Sequence, residues 1–82
     1  MEDAKMSYEL KPTDGRKSFY KKAIVREEHG TATLYSYGTP VIRRNADGTF
    51  SRLWSGWSVT TGRHIVAFCG MNKRAYMALP TI

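Results

Sequence analysis

Residues 41–54 read VIRRNADGTFSRLW, and the five residues Asn45 to Thr49 at their centre decide how the rest is organised. Asn45 suits the start of a type I turn, Ala46 and Asp47 tolerate its middle, and Gly48 supplies the left-handed residue that closes a bulged hairpin. If Asn45 closes against Thr49, the register follows. Arg44 faces Phe50, Arg43 faces Ser51, Ile42 faces Arg52 and Val41 faces Leu53. Cross-strand partners share a face. One face then carries Val41, Leu53, Arg43 and Ser51, and the other Ile42, Phe50, Arg44 and Arg52. Both are apolar away from the turn and basic or polar near it. The hairpin tip should project into solvent while its base is covered. The Arg44–Phe50 pair suits a cation–π contact.

Upstream, the apolar β-branched run at Ala23–Val25 and the segment TATLYSY (31–37) read as strands, and EEHGT (27–31) turns the chain between them. Residues 31–44 are too long for one ordinary strand. Gly38 and Pro40 both weaken a ladder, so a kink or bulge is expected at Gly38-Thr39-Pro40. Residues 1–17, with Pro12 and the turn signal Asp14-Gly15, show no sustained periodicity and read as a flexible N-terminal arm. Residues 18–82 read as a single α+β domain.

Downstream, WSGWSVTTGRH (54–64) joins the last strand to a helix. Ser58 or Thr60 can cap that helix, and Ile65, Phe68 and Cys69 form a stripe at helical spacing. Gly70 is placed to end it in the left-handed conformation. Asn72 can cap a second, shorter helix, KRAYMAL, before Pro80. Trp57 is expected to be buried under the first helix. The fold class is therefore α+β: an antiparallel meander of three to four strands packed by one C-terminal helix and a second short one.

A chain of 82 residues must draw much of its core from its two Trp, five Tyr and three Phe, leaving little room for an enclosed cavity. The lone Cys69 excludes an internal disulfide and a cysteine-based zinc site. No run is long and apolar enough for a membrane span, and MEDAKMSYELK is no signal peptide, so a cytoplasmic protein is expected. The net charge of +6 is uneven. Residues 1–15 sum to −2, residues 16–28 to +3, residues 29–52 to +2 and residues 53–82 to +3. A basic body suggests an anionic partner.

Catalysis is not expected. His29 falls in a turn and His64 near a helix start, six of seven acids precede residue 29, and no carboxylates pair at a useful spacing. His64 and Cys69 point about 140° apart on one helix, which makes no nucleophile–base pair. No phosphate-binding glycine fingerprint occurs. No catalytic residue, metal ligand or cofactor is assigned. Binding chemistry is better represented. Arg43, Arg44 and Arg52 at the hairpin would meet phosphates, with Lys21, Lys22 and Arg63 as secondary cations, and aromatic residues interleave with them.

Three stretches, Ser18 to Ala23, Ser36 to Val41, and Ser58 to Ile65 with Phe68, carry the patterns SF-x-x-KA, SY-x-T-x-V and S-x-TT-x-RH-I-x-x-F. In these the chain resembles a family of small domains of unknown function from bacteria, phages and other mobile elements. The proline inside SYGTPV departs from that pattern. The resemblance implies no activity, but it does imply a setting where small binding proteins and inhibitors are common. The expected function is non-catalytic binding of nucleic acid or a nucleoprotein complex through the basic hairpin. The alternative is a protein-binding inhibitor or adaptor, for example an anti-CRISPR protein acting on a host defence nuclease. Self-association through a sheet edge is compatible with either.

Overall fold

A computed structural model describes residues 6–10 and 22–80. Its antiparallel sheet has five strands: β1 (Met6–Glu9), β2 (Ala23–Glu28), β3 (Thr31–Ser36), β4 (Thr39–Arg44) and β5 (Phe50–Arg52). Two helices follow, α1 (Val59–Cys69) and α2 (Lys73–Met77). Spatial order equals chain order, so the sheet is a meander. The architecture is α+β, with five strands rather than three or four.

The added strand is β1, inside the segment expected to be a flexible arm. It runs along β2 with Tyr8 opposite Val25 and Glu9 opposite Ile24. Four residues of mixed character carry almost no strand signal of their own. Their conformation comes from the N–H and C=O groups that β2 offers along its edge, which no local pattern in residues 6–9 records. The arm's expected boundary at residue 17, and Lys21, lie outside the described residues.

Around Asn45 the expected geometry is present. Ile42 faces Arg52, Arg43 faces Ser51 and Arg44 faces Phe50. Asn45 N–H donates to Thr49 O at 2.7 Å, Gly48 N–H donates to Asn45 O at 3.0 Å, and Gly48 has φ +88°. The stretch 31–44 differs from expectation. It divides at a two-residue turn in which Tyr37 (φ +53°) and Gly38 (φ +82°) are both left-handed, as in a type I′ turn, with Ser36 paired to Thr39 across it. The irregularity lies further on: Leu34 pairs with Ile42 but Tyr35 pairs with Pro40, leaving Val41 as the extra residue. Pro40 has no N–H to give, so the ladder can skip there at small cost. EEHGT places its glycine and threonine as the Asn45 turn does, which predicts the same geometry, but the turn before β3 is of two residues, His29 (φ +51°) and Gly30 (φ +78°).

One sheet face carries Ala23, Val25, Ala32, Leu34 and Ile42, all buried, and the helices lie on it with Ile65 and Tyr76 fully buried. Burying one such aliphatic side chain is worth about 1.5–3 kcal/mol. On the opposite face Ile24, Thr33, Tyr35 and Arg43 are half-buried. Tyr76 was not marked by the sequence, yet it locks α2 to the sheet. Its hydroxyl lies 2.7 Å from Val41 O and 2.6 Å from Trp54 O. The bulge turns the Val41 carbonyl toward α2, and its second lone pair still accepts Leu53 N–H at 3.1 Å.

The joint works as two indoles folded onto two glycines. A Cβ on Gly56 would fall 2.7 Å from Trp54 Cζ2, and one on Gly62 would fall 2.5 Å from Trp57 Cζ2. Trp57 also packs on Tyr76 with ring centroids 5.5 Å apart. Both indoles are half-buried rather than Trp57 being enclosed. Ser58 caps α1, accepting Thr61 N–H at 3.1 Å, and Asn72 caps α2, accepting Ala75 N–H at 2.9 Å. Gly70 ends α1 with φ +78°. Among the described residues no helix is long and apolar enough to cross a membrane.

Candidate binding surface and cleft

Alternation along β4 separates neighbouring arginines. Arg44 and Arg52 share the helix-covered face, diagonal to one another across the hairpin, while Arg43 points to the other face. There Arg43 is half-buried, and its Nε donates to Asn45 Oδ1 at 2.9 Å. Asn45 in turn donates to Ser51 Oγ at 2.9 Å and Thr49 Oγ1 at 3.1 Å, so Arg43 belongs to the hairpin's own network.

Arg44 is exposed and lies over the Phe68 ring at 5.8 Å, not over its cross-strand neighbour Phe50. Arg52 lies over Tyr76 at 6.0 Å, and its Nη1 contacts Met77 Sδ at 3.3 Å. The reason is tertiary: α1 and α2 bring the Phe68 and Tyr76 rings against the same sheet face. Each arginine is positioned by a ring from a different helix. Arg63, half-buried in α1, lines a cleft of about 340 Å³ with Lys73, Trp57 and Val66. Lys73 and Arg74 are exposed on α2. From Gly48 to Pro80 the chain carries four bases, Arg52, Arg63, Lys73 and Arg74, and no acid. The described carboxylates Glu9, Glu27 and Glu28 lie on β1 and β2, and Asp47 lies in the hairpin turn.

A second feature lies at the other end of β4. A cleft of about 360 Å³ opens between the Tyr37–Gly38 turn and the first turn of α1. Six hydroxyl side chains line it (Ser36, Tyr37, Thr39, Ser58, Thr60 and Thr61), together with Val41 and the Trp54 indole. No charged residue is among them. Behind the wall, the buried Ser36 hydroxyl sits 2.9 Å from Thr61 Oγ1 and 2.8 Å from His64 Nδ1. Ser36 has one proton to give, so it donates to one neighbour and accepts from the other. Either arrangement satisfies its buried oxygen. Burial first, and then the Arg63 charge, push the His64 imidazole below its usual 6.5. It is therefore neutral near pH 7. The Ser36–His64 spacing is one that a nucleophile and base also use, but the same hydroxyl is committed to Thr61 and is almost wholly enclosed.

Sequence reasoning placed His64 near a helix start, in a cap-adjacent or packing role, and passed over Ser36, Tyr37 and Thr61 as site residues. The signal was there for Thr61: with His64 or Ile65 and then Phe68 it makes an i, i+3/i+4, i+7 stripe, whose first members are polar. Lys22, a candidate cation, is exposed at the start of β2 with its Nζ 5.4 Å from the centre of the Tyr37 ring. It sits apart in the fold from the Arg44–Arg52 pair. Burial pushes the Cys69 thiol up, and the half-buried thiol donates to Ile65 O at 3.4 Å, which leaves it a poor nucleophile. Among the described residues no three His, Cys, Asp or Glu side chains gather to hold a metal.

The chain belongs to a family of unknown function, DUF8033, whose model matches residues 8–78. No curated protein and no solved structure matches it.

Proposed function

We propose that this is a non-catalytic binding protein whose ligand is nucleic acid, free or within a nucleoprotein complex. The observation that carries this is the pairing of Arg44 and Arg52 on one face. Phe68 and Tyr76 hold them there, and both rings come from a stretch, Gly48 to Pro80, that carries no carboxylate. Guanidinium groups propped on rings lose less freedom when they meet a phosphate, and their planar forks match its oxygens. Arg63, Lys73 and Arg74 extend the cationic surface over the helices. Arg43, tied into the hairpin network, contributes less than its neighbours. The footprint is thus the helical side of the hairpin rather than its tip.

Fluorescence anisotropy with labelled duplex DNA, single-stranded DNA and RNA checks this. If four phosphates on duplex DNA are neutralised, log K falls with log salt at a slope of about −3.6. Replacing both Arg44 and Arg52 by Glu lowers the magnitude of that slope by about 2 or more, while Arg43→Gln changes it little. Absence of binding to all three polymers at low salt refutes the reading.

One observation favours a second reading, a protein-binding inhibitor or adaptor of the sort mobile elements carry. Among the described residues β1 pairs on one side alone, with β2, whereas β5 is partly covered by an Arg52 N–H bond to Pro80 O at 2.8 Å. An edge like that of β1 accepts a strand from a partner or from a second copy. A partner recovered from nuclease-treated host lysate, and lost when Ser7 is replaced by Pro, favours it over nucleic acid.

A further inference from the structure

Tyr37 is the wrong residue for its backbone. Left-handed positions in two-residue turns favour Gly, Asn and Asp, and a bulky side chain there is an outlier that costs stability. The neighbouring hairpin obeys this preference better, with His29 in the equivalent place. Core packing does not explain the exception, because Tyr37 is 56% exposed. Its ring stands over the cleft, 5.8 Å from the His64 ring, with Lys22 Nζ beside it. Strain held at an exposed aromatic beside a concave surface points to a contact outside the chain.

The chemistry of the cleft narrows the ligand. It offers one exposed aromatic face, an indole wall and several hydroxyls that either donate or accept. It holds no charge inside and one ammonium near the rim. Its volume of about 360 Å³ suits one flat, uncharged, hydrogen-bonding ring. Ser36 and Thr61 are buried and committed to each other and to His64, so they brace the floor and leave the exposed Thr39, Ser58 and Thr60 hydroxyls for a ligand. We infer that the cleft takes a single unpaired nucleobase, stacked on Tyr37 and hydrogen-bonded by the cleft hydroxyls, with Lys22 placed for the adjoining phosphate. This rests on the nucleic-acid reading above. It adds that the protein selects unpaired over paired strands, since a base inside a duplex cannot enter the cleft.

The test is an amide chemical-shift titration of the whole chain with three probes: a single-stranded oligonucleotide, its duplex, and the four free nucleoside monophosphates. It is repeated on Tyr37→Asn. Asn suits the left-handed turn, so the variant keeps or raises the melting temperature while removing the ring. The expected result is movement of Gly38, Thr39 and Thr61 with the single strand but not the duplex. Affinity for the single strand should be about 5- to 150-fold weaker in Tyr37→Asn. Polymer binding that moves Arg44, Arg52 and the helices but leaves the cleft amides still overturns this inference and spares the reading it rests on. Cleft shifts with the monophosphates, without salt-dependent polymer binding, do the reverse. A lower melting temperature in Tyr37→Asn, with unchanged single-strand affinity, also overturns it, because the ring would then be serving the fold by covering His64.

Discussion

Strand β4 begins at one tight turn and ends at another, and the two are built on opposite principles. At Asn45–Thr49 every residue agrees with its geometry. Gly48 takes the left-handed position, Asp47 Oδ1 accepts Thr49 N–H at 3.0 Å and its hydroxyl at 2.6 Å, and Asn45 ties both strands. At Tyr37–Gly38 only the glycine agrees. The tyrosine is held in place by rings and charges that come from elsewhere in the fold, His64 on α1 and Lys22 at the start of β2. Agreement at every level marks a segment that serves the fold, and a local violation marks one that answers to something else.

The sharpest way to break that comparison is to remove what holds the strand between the turns. Tyr76→Ala deletes a fully buried ring and both its contacts, to Val41 O and Trp54 O. It should cost about 3–5 kcal/mol in urea denaturation, with both turns loosened together. If amide exchange stays slow at one turn, the bulge does not couple them. Next come Gly38→Ala and Gly48→Ala. An added Cβ meets nothing within 4 Å at either site, so only the left-handed φ resists it. Each should cost about 1–2 kcal/mol, and the two costs should be equal. Unequal costs would show that the turns differ in more than their first residues. Smaller still, Asn45→Ala should cost about 1 kcal/mol through its hydrogen bonds. Tyr37→Asn, at the other turn, should be neutral or stabilising. Opposite signs from substitutions at the two turns are the contrast in its simplest measurable form.

Acid separates the turns by pH. His64, behind the Tyr37 turn, has its folded value lowered below 6.5, so the unfolded chain binds the proton more readily. Its neutral form supports stability fully above 6.5, and that support is lost as pH falls below it. Asp47, in the other turn, is lowered below 3.8 chiefly by its side-chain bond to Thr49, so its contribution is lost only as pH falls below 3.8. Melting temperature followed between pH 7 and pH 5 should fall in the parent chain and stay flatter in His64→Gln, with Asp47→Asn behaving like the parent. A flat parent profile would mean that His64 is not held neutral by the fold.

Much of the fold was legible because its instructions are local. The hairpin register from Val41 to Leu53 follows from one turn and the two-residue period of a strand. The caps at Ser58 and Asn72 and the left-handed stop at Gly70 follow from the few side chains that can satisfy helix ends. The indoles read as a structural joint, though the glycines they fold onto were not foreseen. The candidate site was legible only in part. Arg44 and Arg52 could be placed on one face from the register, but their aromatic supports could not, since Phe68 and Tyr76 lie 24 residues beyond each of them. The cleft was invisible for a similar reason: its walls come from β3, β4, the joint and α1.

What the sequence by itself determined is the order of the strands from Ala23 onward and of the two helices, the pairing at Asn45–Thr49, and a basic second half of the chain. These rest on neighbours within a few residues, where backbone geometry and capping chemistry leave few alternatives. Tertiary structure decided the rest. It made a strand of residues 6–9 by lending them an edge, put the bulge at Val41 where Tyr76 could use its carbonyl, and assembled the hydroxyl-lined cleft under Tyr37. The first depends on the edge of β2, and the other two on groups distant in the chain that meet only after burial of the sheet face has brought the helices down upon it.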